Sequence, residues 1–196
     1  MVAECLANGH RPVSSRRPAQ QEIRLERSII IRPFTEADAD QVRDLFVRVN
    51  RLLAPPDMAE AFERYIAVSL DQEIGQISSY YGQRQGGFWV AVDSKTVVGM
   101  FGLEPSSTAG MELRRMYVDP DSRRLGIARK MLGFAEDECR NRNCPRMDLS
   151  TSELQREALS LYRASGYRLV REEVADSVSN KTLGGGIRRY HFSKEL

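Results

Sequence analysis

Apolar residues in the early part of this chain recur at helical spacing, and further on the period changes. Ala39, Val42, Leu45, Phe46 and Val49 fall three or four apart, which lays them along one buried helix face. Thr35 can cap that helix, and Glu36 and Asp38 in its first turn suit the positive end of the helix dipole. Ala54-Pro55-Pro56 breaks the pattern, and Asp57 starts a second stripe of Met58, Phe62, Tyr65, Ile66 and Leu70, continued by Ile74, Ile77 and Tyr81. Ahead of these helices, Ile29-Ile30-Ile31 followed by Arg32-Pro33 reads as a short strand ended by proline. From Phe88 the pattern is β-like: strands over 88–92 and 96–103 joined at Asp93-Ser94-Lys95, then a connection over 105–110 into a strand over 111–118. Helical spacing returns at Ile127, Met131, Ala135 and Cys139, and Asn143-Cys144-Pro145 ends it. A short buried strand over 147–150 follows. Leu154, Ala158, Leu161 and Ser165 then share a helical face, with Gly166 as its stop. A strand over 167–170, a polar stretch over 174–186 ending in three glycines, and an alternating strand over 187–193 complete the chain. The glycine-rich stretch predicts a mobile loop. This order predicts an α/β fold, a mixed sheet with helices on both faces.

The stretch 112–128, ELRRMYVDPDSRRLGIA, concentrates the chemistry. A strand carrying Leu113, Met116, Tyr117 and Val118 stops at Asp119-Pro120-Asp121, because proline cannot donate to a sheet ladder. Arg123, Arg124, Leu125, Gly126, Ile127 and Ala128 then open a helix. Free N–H groups at a helix start attract anions, Gly126 allows close backbone approach, and Ala128 is small. The spacing predicts a diphosphate site without a Walker lysine, since neither G-x-x-x-x-G-K-[ST] nor G-x-G-x-x-G occurs.

Arg123-x-x-Gly126-x-Ala128 after a strand resembles the [RQ]-x-x-G-x-[GA] signature of the GCN5-related N-acetyltransferases (GNAT), whose loop holds the pyrophosphate of acetyl-coenzyme A. Gly87-Phe88-Trp89-Val90-Ala91 with Val97-Val98-Gly99 resembles that family's second and third strands. Ala158-x-x-Leu161-Tyr162-x-x-x-Gly166-Tyr167 resembles its late helix and following strand. The resemblance runs in family order over 29–192. It implies a mostly antiparallel central sheet with a splayed central pair, and acetyl-CoA as cosubstrate with no metal. It further implies that backbone groups of Met116, Tyr117 and Val118 pair with the pantetheine arm, the Met116 N–H facing the thioester oxygen. Gln155 stands where many relatives carry a cofactor-contacting asparagine, and Tyr162 matches the tyrosine that protonates the leaving thiolate. The early helices border the acceptor pocket in this family.

Glu112 lies eleven residues before Arg123, where histone-acetylating relatives carry their glutamate. Among apolar strands its pKa would rise, which suits a base near neutral pH, and the alternative is an ion pair with Arg114 or Arg115. Regular alternation sends Arg114 and Arg115 to opposite faces and keeps Glu112, Arg114 and Met116 on one face before any bulge. One arginine would then receive a carboxylate of the acceptor, or both are ion-paired. ELRRMYV also resembles the branch containing N-acetylaspartate synthase and the cysteine-conjugate acetyltransferases, which act on amino acids and are membrane-associated.

Length and composition then narrow the partners. At 196 residues the chain reads as one domain over 28–196 behind a disordered tail over 1–27. That tail is too broken for a secretory signal, and Glu4 and its prolines argue against a transit peptide. A net charge of +2 from 29 basic and 27 acidic residues gives no nucleic-acid footprint. No run is long enough to span a bilayer. Cys5, Cys139 and Cys144, an odd set with no histidine beside the pair, fit free thiols in a reducing compartment and argue against zinc. The reading is a cytoplasmic N-acetyltransferase acting on a small-molecule amine, with a homodimer as the assembly to consider. The alternatives are a protein N-terminal or lysine acetyltransferase, or a non-catalytic acyl-CoA-binding module.

Overall fold

The computed structural model describes residues 28–106 and 110–196. The expected tail, with Cys5 and His10, and the middle of the connection before the central strand lie outside these residues. Seven strands form one sheet: β1 (Ile29–Pro33), β2 (Gly87–Asp93), β3 (Thr96–Pro105), β4 (Met111–Val118), β5 (Arg146–Ser152), β6 (Arg168–Ala175) and β7 (Ile187–Glu195), in the order β1-β2-β3-β4-β5-β7-β6. Every pairing is antiparallel except β4 with β5.

The helices are α1 (Ala39–Leu53), α2 (Ala59–Gln72), α3 (Ile77–Gln83), α4 (Ile127–Asn141) and α5 (Arg156–Ala164). α1 begins at Ala39, where its apolar stripe begins, but the cap at Thr35 and the start at Asp57 expected from the sequence fall instead on 3-10 turns at Glu36–Asp38 and Pro56–Met58 that precede α1 and α2. The first turn is locked by a carboxylate. Asp38 accepts from the backbone N–H and the hydroxyl of Thr35, each at 2.9 Å, and takes a bidentate pair from Arg32 at 2.7 and 2.8 Å.

Two cores result. One face of the sheet packs Val42, Phe46, Ile66 and Tyr81 of α1–α3 against Val90 and Met100. The other packs Ile127, Met131 and Cys139 of α4 and Tyr162 of α5 against Trp89, Phe101 and Leu149. The stripes read from the sequence for α1 to α4 are largely the buried ones, whereas on α5 the buried residue is Tyr162 and the expected Ala158 and Leu161 are half-buried beside it. Strand ends are less legible: β5, β6 and β7 all outrun their apolar cores, because ladder hydrogen bonds carry polar residues such as Arg171, Glu173 and Lys194 into the sheet.

Candidate active site

Sequence turns the chain sharply after β4. Asp119 caps the 3-10 turn Pro120–Ser122 by accepting from Asp121 N–H at 2.9 Å, and its other oxygen pairs with Arg48 of α1. Arg124 and Gly126 then adopt left-handed φ of 64° and 76°, and α4 starts at Ile127, which is buried. A Cβ on Gly126 would meet nothing within 4 Å. The glycine is therefore needed for its backbone angle and for the open approach it leaves, not for packing. No acidic residue lies in the first turn of α4, so its free N–H groups and dipole meet no competing carboxylate there. Arg123 is loosely held, 3.9 Å from Glu157 on α5.

Beside this loop the sheet opens. β4 pairs with β5 only at Met111–Met147, Glu112–Asp148 and Leu113–Leu149, whereas β5 continues along β7 to Ser152. The β5-facing edge of 114–118 is thus unpaired, as the resemblance implies. On its other side β4 bulges: Gly102 pairs with Arg114 and Met100 with Tyr117, leaving Arg115 and Met116 opposite Phe101, with Arg115 at φ 52°. An extra residue flips the alternation beyond it. Arg114 and Arg115 therefore reach the same acid instead of opposite faces, and Met116 packs against the core on the α4 side.

That acid is Glu73, between α2 and α3, which sequence reading missed. It is fully buried and receives Arg114 Nη2 at 2.5 Å, Arg115 Nη2 at 2.8 Å and the Tyr81 hydroxyl at 2.7 Å. Burial pushes its carboxyl up, but Arg115, Arg114 and Tyr81 outweigh this and hold it below the usual carboxylate range. Arg114 also donates to Glu104 at 2.7 Å, and Arg115 to the Tyr65 hydroxyl and to Asn180 O. Both terminal nitrogens of each arginine are engaged inside the protein. The signal was present: Glu73 continues the spacing of Ile66 and Leu70, a carboxylate on an apolar stripe.

A cavity of about 110 Å³ occupies the split, with Glu112, Met116, Tyr162, Gln155 and Arg189 on its walls. A wider groove of about 740 Å³ runs from it over β5, β7 and β6, sharing Glu112, Ser150, Lys181 and Arg189. Glu112 Oε2 lies 2.7 Å from Lys181 Nζ, which also lies 3.1 Å from Glu104. Its ion-pair partner is this lysine and not the neighbouring arginines. Tyr162 is buried, edge-on to Tyr167 with centroids 6.0 Å apart, and burial pushes its phenol up. The Gln155 side-chain oxygen accepts from the Thr151 hydroxyl at 2.7 Å, so it is turned into its own loop ahead of α5.

Two further residues were not singled out by sequence. Arg189 on β7 donates to the Ser150 hydroxyl and, among the described residues, forms no ion pair. Its Nε is buried without a partner, and burial pulls its guanidinium below the usual range against the pull of more distant Glu173 and Glu112. The other is Lys181, in the stretch expected as a mobile loop. Val174 and Ala175 of that stretch complete β6. The remainder folds over the site, held by a Val178–Leu183 bridge, by Ser179 Oγ accepting from the N–H groups of Lys181 and Thr182 at 3.1 Å, and by Asn180 O on Arg115 at 2.6 Å.

A model of the acetyltransferase (GNAT) family matches residues 46–167. The chain is 32% identical over 117 residues to "Probable N-acetyltransferase camello" of Xenopus tropicalis, covering 59% of this chain and 53% of that protein. It is 29% identical over 110 residues to human N-acetyltransferase 8, covering 53% and 48%. The chain thus spans about half the length of the curated relatives it matches. A PaiA N-acetyltransferase from Thermoplasma acidophilum, solved in complex with coenzyme A, superimposes with a TM-score of 0.66 at 18% identity over 86% of this chain and 99% of that one. At that identity the likeness shows the shared fold.

Proposed function

Because the chain belongs to the GNAT acetyltransferase family, we propose that it transfers the acetyl group of acetyl-CoA directly to the primary amine of a small carboxylate-bearing molecule such as an amino acid. The observation that carries this reading is a cavity in the β4–β5 split with a carboxylate and a buried phenol on its walls, next to an open, acid-free helix start. The residues present fit acetyl-CoA. The 123–128 loop offers backbone N–H groups to its diphosphate. The unpaired edge of Met116, Tyr117 and Val118 offers a ladder to the pantetheine arm, and the Met116 N–H would stabilise the developing oxyanion. Bound there, acetyl-CoA supplies an activated acyl group. Gln155, with its oxygen held by Thr151, has only its amide nitrogen to offer.

Glu112 takes the proton of the acceptor ammonium, and Tyr162, kept protonated by burial, gives one to the departing sulfur. For the acceptor's carboxylate, Arg189 replaces the arginines expected from the sequence, whose terminal nitrogens are already engaged. A desolvated guanidinium with a buried, unpartnered Nε is a cation still lacking its anion. The 28–196 unit carries the whole proposed site.

The test is acetyl-CoA turnover on a panel of amino acids and their amides. Glu112→Gln should lower turnover by roughly 10²–10⁴-fold, and Tyr162→Phe should lower it with CoA affinity nearly intact. Arg189→Met should raise KM for the acid about 10- to 100-fold and barely affect the amide. Equal wild-type turnover of acid and amide overturns the carboxylate assignment, and absence of turnover on every amine overturns the reading itself.

A further inference from the structure

We propose that Lys181 is a self-acetylation site, modified by this chain's own active site when no free amine is present. The proposal rests on the acetyltransferase reading and extends it to a covalent change in the protein. It comes from where one primary amine lies. Lys181 Nζ is 2.7 Å from Glu112 Oε2 and 3.1 Å from Glu104 Oε1, on the wall of the cavity that Met116 and Tyr162 also line. An amine within hydrogen-bond reach of the base, facing the split strand, holds the position an acceptor has to reach.

The placement is built by the loop. Ser179 fixes the backbone at Lys181 and Thr182, and Arg115 ties down the carbonyl of Asn180. The chain has four lysines, at 95, 130, 181 and 194, in a sequence otherwise rich in arginine. An arginine at 181 would pair with Glu104 and Glu112 equally well but could not serve as the nucleophile, because a guanidinium keeps its proton. Among the lysines, Lys194 is paired with Glu136 at 2.8 and 2.9 Å, outside the cavity.

The step balances without any further reactant. Lys181 Nζ gives one proton to Glu112, and its lone pair forms the new C–N bond as the thioester C–S bond breaks. Tyr162 gives a proton to the departing sulfur and recovers the second proton from the nitrogen. Ammonium and thioester become amide, thiol and one proton, which Glu112 releases to solvent. The neutral amide can no longer bridge Glu104 and Glu112, so the loop loses its cation anchor and Glu112 is freed for an incoming ammonium.

The experiment incubates the full chain with acetyl-CoA alone and follows intact mass and a peptide map. The expected result is one acetyl group per chain at Lys181, gained at a rate independent of protein concentration. Lys181→Arg should abolish the gain, and Glu112→Gln should slow it by about tenfold or more while chemical acetylation of Lys95 and Lys130 is unchanged. A second readout needs no acetyl-CoA: Lys181→Gln, which imitates the neutral amide, should be cleaved severalfold faster within 176–186 under limited proteolysis. Acetylation of Lys181 no faster than of Lys130, or undiminished in Glu112→Gln, overturns the proposal. Turnover of a free amine by a chain whose Lys181 stays unmodified overturns it and leaves the acetyltransferase reading standing. A chain that neither binds CoA nor turns over any amine overturns both.

Discussion

Asp38 shows how much one side chain can hold at the entrance to α1. The Arg32 guanidinium, against the effect of burial and with help from Thr35, keeps its carboxyl at about 2 instead of the ordinary 3.8. A depressed folded-state pKa contributes stability above the ordinary value and loses it as pH falls through the folded one. The contribution is about 1–2 kcal/mol, allowing for solvent screening of the partly exposed arginine. Asp38→Asn should therefore lower unfolding free energy by about that much at neutral pH, with the gap closing toward pH 2. A gap in chemical denaturation that persists unchanged at low pH would contradict this. Sequence placed Asp38 in a first turn, but its bidentate arginine comes from a strand. Glu73 and Arg189 were harder to see, because what distinguishes them is the partner each has or lacks across the fold. A residue's type is written in the sequence; its desolvation is not.

At the level of elements, the turn into α4 was legible in outline, although the helix starts at Ile127 and not at Arg123. Asp-Pro before the loop, Gly126 at its end and the apolar spacing from Ile127 each follow from local chemistry, and the left-handed Gly126 agrees with all three. Gly126→Asp joins a disfavoured backbone angle to a negative charge at the helix start. CoA affinity by calorimetry should fall on the order of 100-fold in a folded variant; unchanged affinity would remove the diphosphate from this loop. The β4 bulge was not legible. It depends on the register against β3, a tertiary match between Gly102 and Arg114 that no local pattern encodes. One unseen extra residue changed which neighbours share a face and moved both arginines from candidate ligands to internal ion pairs.

Across the whole molecule, Glu73 ties the α2–α3 junction to β4 through two arginines, with Tyr81 of α3 as its third partner. Replacing one member leaves buried cations short of an anion, at a cost of about 3–5 kcal/mol. Glu73→Gln should show a loss of that order in guanidinium unfolding, and a loss below about 1 kcal/mol would mean that Glu104 alone compensates the pair. The fold class and its two helical layers were readable because each amphipathic stripe needs a face to cover. The groove proposed for the acceptor was not, because it is made of polar strand faces and a folded-back segment. The short contact between β4 and β5 has a consequence for how such a protein diversifies. Within the sheet, three residue pairs join a plate carrying the loop proposed for the donor to a plate carrying most of the groove proposed for the acceptor. A ladder that brief acts as a crease, about which packing changes at β5, β7 or β6 can tilt one plate against the other. On the proposed function, new acceptors can then be tried by adjusting an angle, with the 123–128 loop inherited intact.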